Sequence, residues 1–343
     1  MDHYVALDVS LKETSVCVLN ADGSVAFEGR APSDPASLAQ VIRTKAPRAV
    51  KIGLETGAIS VWLWHALKAE GLPVVCMDAR HAHAALSIRP TKSDRSDARG
   101  LADMVRMGWY REVQIKSLAA HERRALLAAR HRLVLIRLEL DAQIRGMLKP
   151  FGLVVGPGNS DAFIRRAQEL AQGHPVLAPL LACLAEVRRH VVAQISKLDR
   201  EIGRIVRTDM TLRRFMTVPG VGPVTALAFL STIDDPNRFR RARDVGPYLG
   251  LTPRRHQSGE TDHQGRISKC GDTFTRTCLY EAANVLLTKV QRWSPLKAWG
   301  VRLAKRIGAK KARVAIARKL AVILRCMWVD GTQFWWTKEA AMA

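Results

Sequence analysis

Residues 4–31, "YVALDVSLKETSVCVLNADGSVAFEGRA", contain three runs rich in β-branched and other apolar residues. The runs cover residues 4–10, 14–20 and 25–31 and are separated by short polar segments. The Ala-Asp-Gly-Ser sequence at 21–24 is typical of a hairpin between the last two runs. The pattern therefore predicts three consecutive antiparallel strands at the start of the chain.

Beyond these runs, predicted helices alternate with short apolar strands. A helix with an early proline is expected at 34–46, and two more helices at 59–71 and 78–88. Strands are predicted between them, at 49–56 and 73–79. The resulting order, βββαβαβα, indicates an α/β domain whose mixed sheet is covered by helices on its faces.

Four acidic residues occupy notable positions in this pattern. Asp8 lies within the first predicted strand, and Glu55 ends the fourth, just before a Thr-Gly turn. Asp94 and Asp97 open a further helix, for which Ser93 is the predicted N-cap. Their i,i+3 spacing places both aspartates on one helix face. Because sites in open sheets gather at strand ends, we expect the four carboxylates to converge there.

Four carboxylates in one place repel one another strongly as the local dielectric falls, so they need positive partners. Arg95 and Arg99, beside the two aspartates, are one source of positive charge at the surface. A divalent cation is the other, and ligands that are all oxygens select Mg²⁺ or Mn²⁺. Two such ions about 3.5–4 Å apart would clamp a phosphodiester for in-line displacement. The pattern D…E…D-x-x-D resembles the ribonuclease H-like fold of RuvC-type nucleases, which we predict for residues 1–112.

Charge is distributed very unevenly along the 343 residues. Residues 1–110 contain 13 basic and 12 acidic residues, whereas the whole chain has a formal net charge of +23, which leaves +22 for the remainder. This excess predicts a polyanionic partner, usually nucleic acid, with a membrane surface or a ribosome as the alternative. With no apolar run long enough to span a bilayer and no signal peptide, we expect a cytoplasmic, nucleoid-associated protein.

Cysteine and histidine spacing argues against a zinc site. The six cysteines are scattered, without a C-x-x-C pair, which favours reduced thiols over disulfides or zinc ligands. His81 and His83 form a single H-x-H pair, which we interpret as two residues on a surface helix. The candidate metal ligands are therefore the acids alone.

Residues 113–208 are predicted to form a helical spacer. Two long runs almost without helix breakers are joined by a segment rich in glycine and proline, near residues 150–159. Apolar residues in both runs follow an approximate heptad, which predicts either a helical hairpin or an intermolecular coiled coil. Their arginine-rich faces either follow nucleic acid or are simply solvated. The heptad positions are Leu126, Ala129, Leu133, Ile136, Leu140 and Met147 in the first run, and Leu184, Val187, Val191, Leu198 and Ile205 in the second.

A glycine turn begins the predicted C-terminal domain, residues 209–343, which is expected to be mostly helical. In "TVPGVGPVTALAFLSTI" (217–233), Gly220 and Gly222 lie between apolar helical runs. Such a turn lets backbone N–H groups approach a phosphate closely, assisted by the positive end of the next helix. It matches the helix-hairpin-helix motif, which binds nucleic-acid backbones without reading sequence. A plain interhelical turn is the alternative.

The segment that follows carries a close family resemblance. The sequence "VPGVGP…RFRRARDVGPYLGLTPRRHQSG…GRISKCGD" is similar to the C-terminal domain of the DEDD-type transposases of the insertion-sequence 110/1111 group, which includes Piv-like invertases and bridge-RNA-guided recombinases. Together with the N-terminal acids, the resemblance covers residues 4–287. It implies a RuvC-like domain that holds Mg²⁺ (or Mn²⁺) and a C-terminal serine that attacks the scissile phosphodiester, giving a covalent serine–DNA link. The implied metal ligands are Asp8, Glu55, Asp94 and Asp97.

The family motif P-x-x-x-x-S-G falls on "PRRHQSG", so the resemblance assigns the nucleophile to Ser258. A serine followed by glycine in a loop can be exposed, as a nucleophile must be. Ser268, in "RISKCGD", is the alternative because Lys269 lies beside it. His256 and His263 flank Ser258 and either serve as general base or are incidental. The residues expected to contact the phosphate or the nucleic-acid backbone are Arg254, Arg255, Arg266, Lys269, Gly220 and Gly222.

The resemblance further implies the reaction and the partners. The protein would excise and insert its own element, guided by a structured RNA that pairs with donor and target double-stranded DNA. It would assemble as a dimer of dimers, in which Ser258 of one protomer meets the acids of another. Two alternatives fit the same residues: a RuvC-like junction resolvase or nuclease that uses water, and a non-catalytic nucleic-acid scaffold.

The C-terminal tail, residues 294–336, is predicted to be a basic helical stretch that lies on nucleic acid. An apolar stripe along it is expected to pack inward. The stripe comprises Val314, Ala317, Leu320 and Leu324. The Phe-Trp-Trp sequence at 334–336 is either a stacking platform for bases or a hydrophobic anchor.

Overall fold

The computed structural model of the chain describes residues 1–87, 94–158, 161–259 and 261–336. The side chains of Asp94 and His256 are not among the described parts, and the predicted N-cap Ser93 lies outside them. The chain divides into two compact units, Met1–Lys116 and Ser117–Ala343. The division into three domains stays a prediction.

The first unit is built on a five-stranded mixed sheet. Its elements are β1 (His3–Val9), β2 (Glu13–Asn20), β3 (Val25–Pro32), α1 (Pro35–Lys45), β4 (Ala49–Glu55), α2 (Ser60–Ala69), β5 (Val74–Met77), α3 (Ala79–Leu86) and α4 (Asp94–Met107). The strands lie in the order β3-β2-β1-β4-β5, with β1, β2 and β3 antiparallel and β1, β4 and β5 parallel. The predicted order βββαβαβα is confirmed, and the mixed sheet fits a ribonuclease H-like domain.

The two faces of the sheet are both buried, by different helices. On one face, Val5 and Leu7 of β1 pack with the apolar residues of α1 and α2. On the other, Ala6 packs with Cys17 of β2 and with α4. Because successive side chains of a strand point to opposite faces, β1 needs apolar residues at consecutive positions. This explains its nearly continuous apolar sequence.

Gly53 in β4 sets how closely α4 approaches the sheet. A Cβ at this position would lie 2.3 Å from Cγ2 of Val105 in α4, so any side chain here would displace the helix. Ala98 and Leu101 of α4 are buried in the same cluster. Asp97 lies in the first turn of α4, so this close packing also brings Asp97 to the sheet.

The second unit is mostly helical, as predicted. Its elements are α5 (Leu118–Leu148), α6 (Asp161–Ala171), α7 (Leu177–Thr208), α8 (Met210–Phe215), α9 (Pro223–Ile233), α10 (Val245–Tyr248), β6 (Pro253–Ser258), β7 (Thr261–Ile267), α11 (Thr273–Thr288), α12 (Pro295–Ile307) and α13 (Ala309–Asp330). The core surrounds α9, which is buried without interruption over residues 226–233. On α13, Ala317, Leu320 and Leu324 are fully buried, which confirms the inward stripe. Among the helices of the described residues, none is both long and apolar enough to cross a membrane.

The two longest helices, α5 and α7, pack against each other. Nε of Arg188 on α7 donates to Oδ1 of Asp141 on α5 at 2.6 Å, and the two side chains are only 3% and 2% exposed. Arg130 and Asp199 join the same helices at 2.5 Å. This contact fits the predicted helical hairpin, whereas the intermolecular coiled coil stays a prediction.

Two arginines on the predicted arginine-rich faces form ion pairs within the second unit, whereas Arg132 and Arg189 are exposed as expected. Arg188 is buried in the ion pair just described, and Arg124 donates to Oδ2 of Asp272 at 2.8 Å. The buried positions are also offset from the predicted heptad, since Leu127 is buried whereas Val187 is 51% exposed. The physical reason is that α5 packs on α9 near its start and on α6 near its end, in addition to its contact with α7, so no single seam covers it.

Candidate active site

Asp8 and Glu55 are neighbours because of the register of their strands. β1 and β4 run parallel, with Leu7 opposite Leu54. Asp8 follows Leu7 in β1, and Glu55 follows Leu54 in β4. Both acids therefore lie on the same face of the sheet, near the ends of adjacent strands. Each is half-buried. The sheet edge predicted from the sequence thus holds both carboxylates.

The carboxyl group of Glu55 interacts with the charges of two other predicted ligands. Burial is the main cause that raises the pKa of Glu55 from 4.5 to about 7, and repulsion by Asp8 and then Asp97 adds to it. Two of the other predicted acids, Asp8 and Asp97, are therefore close enough to act electrostatically on Glu55. Asp94 is the first residue of α4, and its side chain lies outside the described part.

Arg95, which lies between Asp94 and Asp97 in the sequence, pairs with an acid other than the four predicted ligands. Nε of Arg95 donates to Oε2 of Glu28 on β3 at 2.5 Å. The charges that act on Glu55 are those of Asp8 and Asp97, both negative. Of the two arginines considered from the sequence, Arg95 is therefore paired with an acid outside the predicted set.

Asp78, which sequence reasoning did not single out, lies at the same edge of the sheet. It directly follows β5, the neighbour of β4. Its carboxylate caps α3 by accepting from the backbone N–H of Arg80 at 3.0 Å, and it pairs with the Arg80 guanidinium at 3.2 Å. The hydrogen bond from the Arg80 side chain lowers the pKa of Asp78. Its charge is thus compensated within the fold, which separates it from the candidate metal ligands.

The donor atoms at this edge fit a hard divalent cation. Asp8, Glu55 and Asp97 offer carboxylate oxygens, which are the ligands that Mg²⁺ or Mn²⁺ prefers. Over the described residues, no group of three or more histidine, cysteine, aspartate or glutamate side chains is close enough to hold one ion. In this structure Asp8 and Asp97 affect Glu55 through their charge, and the three carboxylates are not arranged to coordinate one ion.

The histidine pair lies on the helix predicted for it. His81 and His83 are both on α3, where His83 is exposed. The ring of His81 packs edge-on against Trp109, with 5.8 Å between centroids. The pair is thus placed by ordinary packing at the surface of the first unit.

Ser258 ends a strand of an exposed β-hairpin rather than lying in the predicted loop. β6 pairs antiparallel with β7, with Ser258 opposite Thr261. Gly259, with a φ of 55°, lets the chain turn immediately afterwards. Ser258 and its described neighbours on both strands are exposed, as far as Ile267 at the end of β7. A serine in this position is accessible to a bulky substrate.

Two of the predicted phosphate-binding arginines have partners at the hairpin. Arg255 pairs with both carboxylate oxygens of Asp262 across the strands, at 2.8 and 2.7 Å. Arg254 donates to the backbone carbonyl of Ser268 at 3.2 Å, and Arg266 is exposed on β7. An exposed ion pair contributes little free energy, so a phosphate can replace Asp262 as the partner of Arg255 at small cost.

Ser268 and Lys269 lie in a tight junction at the base of the hairpin. The backbone N–H of Ser268 donates to the carbonyl of Thr252 at 2.9 Å, and its Oγ accepts from the backbone N–H of Cys270 at 3.4 Å. Lys269 has a φ of 55°, which is unusual for a residue with a side chain. Ser268 is half-buried and held by these contacts, so it is less accessible than the exposed Ser258.

The two glycines of the predicted helix-hairpin-helix turn have different environments. A Cβ at Gly220, where φ is 89°, would lie 2.3 Å from the carbonyl oxygen of Ala282 on α11. Gly220 is therefore required for packing between the turn and α11. A Cβ at Gly222, the N-cap of α9, would meet no described atom within 4 Å, so the backbone there is open to a ligand. The contact with nucleic acid stays a prediction.

Known proteins match both halves of the chain in order. Residues 5–152 match a DEDD transposase family of IS110, and residues 212–298 match the family described as Transposase IS116/IS110/IS902. The transposase for insertion sequence element IS1111A of Coxiella burnetii is 28% identical over 93% of this chain and 88% of that protein. A probable family 20 transposase of Pseudomonas aeruginosa is 31% identical over 245 residues, which are 69% of this chain and 72% of that protein.

A relative described as a gene-inverting protein matches a shorter part of the chain. The pilin gene-inverting protein of Moraxella bovis is 30% identical over 141 residues, which are 39% of this chain and 43% of that protein. The two ranges that match the families contain the four predicted acids and the C-terminal serine motif, respectively. The chain belongs to the IS110/IS1111 family of DEDD transposases, which are DNA transposition and recombination enzymes.

Proposed function

We propose that this protein cuts and rejoins the DNA ends of its own insertion sequence through a covalent serine–DNA intermediate. The observation that carries the proposal is that burial, together with repulsion by Asp8 and Asp97 near the same sheet edge, raises the pKa of Glu55 from 4.5 to about 7. A buried carboxyl group with a raised pKa destabilises the folded protein when it ionises. Groups with perturbed pKa values cluster at functional sites. The exposed Ser258 supplies a nucleophile separate from these acids.

The acids at the sheet edge are the proposed ligands of Mg²⁺ or Mn²⁺. When bound, such ions neutralise the phosphate oxygens and stabilise the charge that develops during displacement at phosphorus. Asp8, Glu55 and Asp97 supply carboxylate oxygens from β1, β4 and α4. Asp94, at the start of α4, is the fourth proposed ligand.

The proposed chemistry is an exchange of phosphate esters by Ser258. Its Oγ bonds to phosphorus while the bond from phosphorus to one deoxyribose oxygen breaks. The serine gives up its proton and the released deoxyribose hydroxyl gains one, so one ester replaces another. Attack by a hydroxyl of a second DNA end then reverses the exchange and frees Ser258. Arg254 and Arg266 neutralise the attacked phosphate from the same hairpin.

A protein–DNA adduct captured on a denaturing gel tests this proposal. We expect the full-length protein to form an adduct with DNA that carries the ends of the element, and only when Mg²⁺ is present. Ser258→Ala should abolish the adduct, whereas Ser268→Ala, the matched control, should retain it. Cleavage at the wild-type rate by Ser258→Ala would refute the serine intermediate and would indicate a nuclease that uses water.

The role of the acids is tested with a matched pair at the same sheet edge. Asp97→Asn should reduce cleavage at least about 100-fold, because it removes a proposed metal ligand. Asp78→Asn should cleave normally, because asparagine keeps the cap on α3 and Asp78 is not a proposed ligand. Normal cleavage by Asp97→Asn would contradict the metal site. No cleavage by any form of the protein, with the RNA of its own element present, would favour a non-catalytic scaffold.

A guide RNA and a dimer of dimers are further parts of the proposal, implied by the resemblance. Residues 111–343 carry a net charge of +22, which supports binding of more than one polyanionic strand. Exposed apolar residues on α7, such as Val187, supply surface for assembly. Native mass measurement before and after nuclease treatment tests both parts. A monomer without RNA in both samples would contradict them.

A further inference from the structure

A basic segment flanked by exposed aromatic residues lies outside the site described above. Residues 282–329 contain twelve lysines and arginines and no aspartate or glutamate. This segment includes all of α12 and nearly all of α13. Five aromatic residues near α12 and after α13 form what we call the aromatic patch. The aromatic patch comprises Trp293, Trp299, Phe334, Trp335 and Trp336.

Three of these rings line one open groove. The groove has a volume of about 440 Å³ and lies where α12, α13 and the segment after α13 meet. Trp299 is 37% exposed and Trp335 is 47% exposed, so ring surface is available in the groove. A cleft of this size can take a small planar group. The groove is lined by Pro295, Leu296, Trp299, Lys319, Ile323, Phe334 and Trp335.

Phe334 anchors the aromatic patch to the second unit. Its backbone N–H donates to Oγ1 of Thr217 at 2.9 Å, and its ring packs against the core around α9. The ring also lies edge-on to Trp336, with 5.6 Å between centroids. Phe334 is therefore the hydrophobic anchor considered from the sequence, and Trp335 beside it is left exposed.

Positive charges accompany these rings at short range. The guanidinium carbon of Arg292 lies 4.4 Å from the ring centroid of Trp336, and Nζ of Lys297 lies 5.3 Å from that of Trp293. Lys319 lines the groove itself. Rings with cations beside them favour a ligand that combines flat apolar faces with negative charge.

We propose that the aromatic patch binds a single nucleic-acid strand, with unpaired bases stacked on Trp299 and Trp335 and phosphates beside Lys319 and Arg292. A second copy of the patch would bring its own lysines and arginines against these, which like-charge repulsion disfavours. An anionic lipid surface would match the charge but would present no flat rings to the groove. The bases of a duplex are already stacked on each other, so an unpaired strand is the form that fits.

Binding of short fluorescein-labelled oligothymidine and oligouridine to the full-length protein, followed by anisotropy in EDTA, tests this inference. Trp335→Ala should weaken binding at least about fivefold, the smaller end of the effect of losing one base–aromatic stack. Trp335→Phe keeps a ring and should retain most of the affinity. Trp62→Ala is the matched control, because Trp62 is similarly exposed at 49% but lies on α2 in the first unit. It should leave binding unchanged.

Equal affinity of the wild type and Trp335→Ala for both oligonucleotides would overturn the inference. The inference would also be overturned if Trp335→Ala weakened binding of an abasic strand of the same length by the same factor, because that strand has phosphates but no bases. Lost binding to vesicles containing phosphatidylserine, with oligonucleotide binding intact, would assign the patch to a lipid surface instead. A preference for oligothymidine or for oligouridine would support the inference and would identify the strand as DNA or RNA. No strand is cut in EDTA, so this result is independent of the proposed function.

Discussion

Replacing Glu55 by glutamine is expected to make the metal-free protein more stable at alkaline pH while abolishing its activity. Burial, followed by repulsion from Asp8 and Asp97, raises the pKa of Glu55 from 4.5 to about 7. The folded state therefore binds more protons than the unfolded state between about pH 4.5 and 7. The free energy of unfolding accordingly falls as the pH rises through this range, and the loss is complete above it.

The size of this effect follows from the two pKa values. A folded pKa of about 7 against an unfolded value of 4.5 corresponds to about 3 kcal/mol once Glu55 is fully ionised. Water screens a half-buried carboxylate, which reduces the expected destabilisation to about 1–2 kcal/mol. Glutamine has nearly the same shape and cannot ionise. The variant should therefore recover this free energy at pH 8 and differ little from the wild type below pH 5.

Urea unfolding in EDTA at acidic pH and at pH 8 measures the effect, and the denaturing-gel assay measures the loss of activity. Glu70→Gln is a matched control, because Glu70 follows α2 in the same unit and pairs at the surface with Arg43 at 2.8 Å. Its free energy of unfolding should change by about 0.5 kcal/mol or less. The reasoning is refuted if Glu55→Gln is less stable than the wild type at pH 8, or if its advantage is the same at both pH values.

Mg²⁺ at about 100 times its dissociation constant should stabilise the wild type at pH 8 by about 2.7 kcal/mol in urea unfolding, and equal stabilisation of Glu55→Gln would contradict the proposed ligand. Gly220→Ala, at a φ of 89° and with its Cβ 2.3 Å from a carbonyl oxygen of α11, should cost about 2–5 kcal/mol. Gly152→Ala, at a φ of 73° and with no described atom within 4 Å, should cost about 1 kcal/mol, and equal costs would rule out the clash. Arg188→Met should lower the free energy of unfolding by about 3–5 kcal/mol, because it leaves the buried Asp141 without its arginine. The double variant Arg188→Met/Asp141→Leu should regain most of this stability, and a double variant as unstable as Arg188→Met would show that the ion pair is not the cause.

The first unit could be predicted closely because its local and long-range requirements agree. Asp34 caps α1 and Pro35 opens it, so the predicted start of that helix is also its start in the structure. The strands are apolar because both faces of the sheet are covered, and acids at their ends stand out against that background. The register that places Asp8 beside Glu55 depends on strand pairing, which no local pattern specifies.

The β-hairpin that carries Ser258 could not be predicted from patterning. Strand prediction relies on alternation between a buried and an exposed face, and nearly all described side chains of β6 and β7 are exposed. Without a buried face, the sequence of residues 253–267 looks like a polar loop. What holds it as a hairpin is backbone pairing, together with the ion pair of Arg255 and Asp262.

The buried ion pair between α5 and α7 was hidden for a related reason. Patterns of polar residues place charges at the surface, because charged side chains are rarely buried without a partner. Asp141 and Arg188 form an ion pair across 47 positions of sequence, and a pairing at that distance leaves no local trace. The second predicted helical run is divided into α6 and α7 by residues 172–176, a break that was not predicted from the sequence although it contains Gly173 and Pro175.

The uneven charge of the chain follows from the chemistry proposed for it. Carboxylates gathered to hold cations also repel DNA phosphates, so the region that contains them is a poor place from which to attract DNA. Residues 1–110 contain 13 basic and 12 acidic residues, so this region is nearly neutral. The attraction for DNA must then come from residues 111–343, whose net charge is +22. Affinity for nucleic acid and catalysis thus depend on residues in different parts of the sequence. Variants of the acids should therefore lose cleavage while they keep binding.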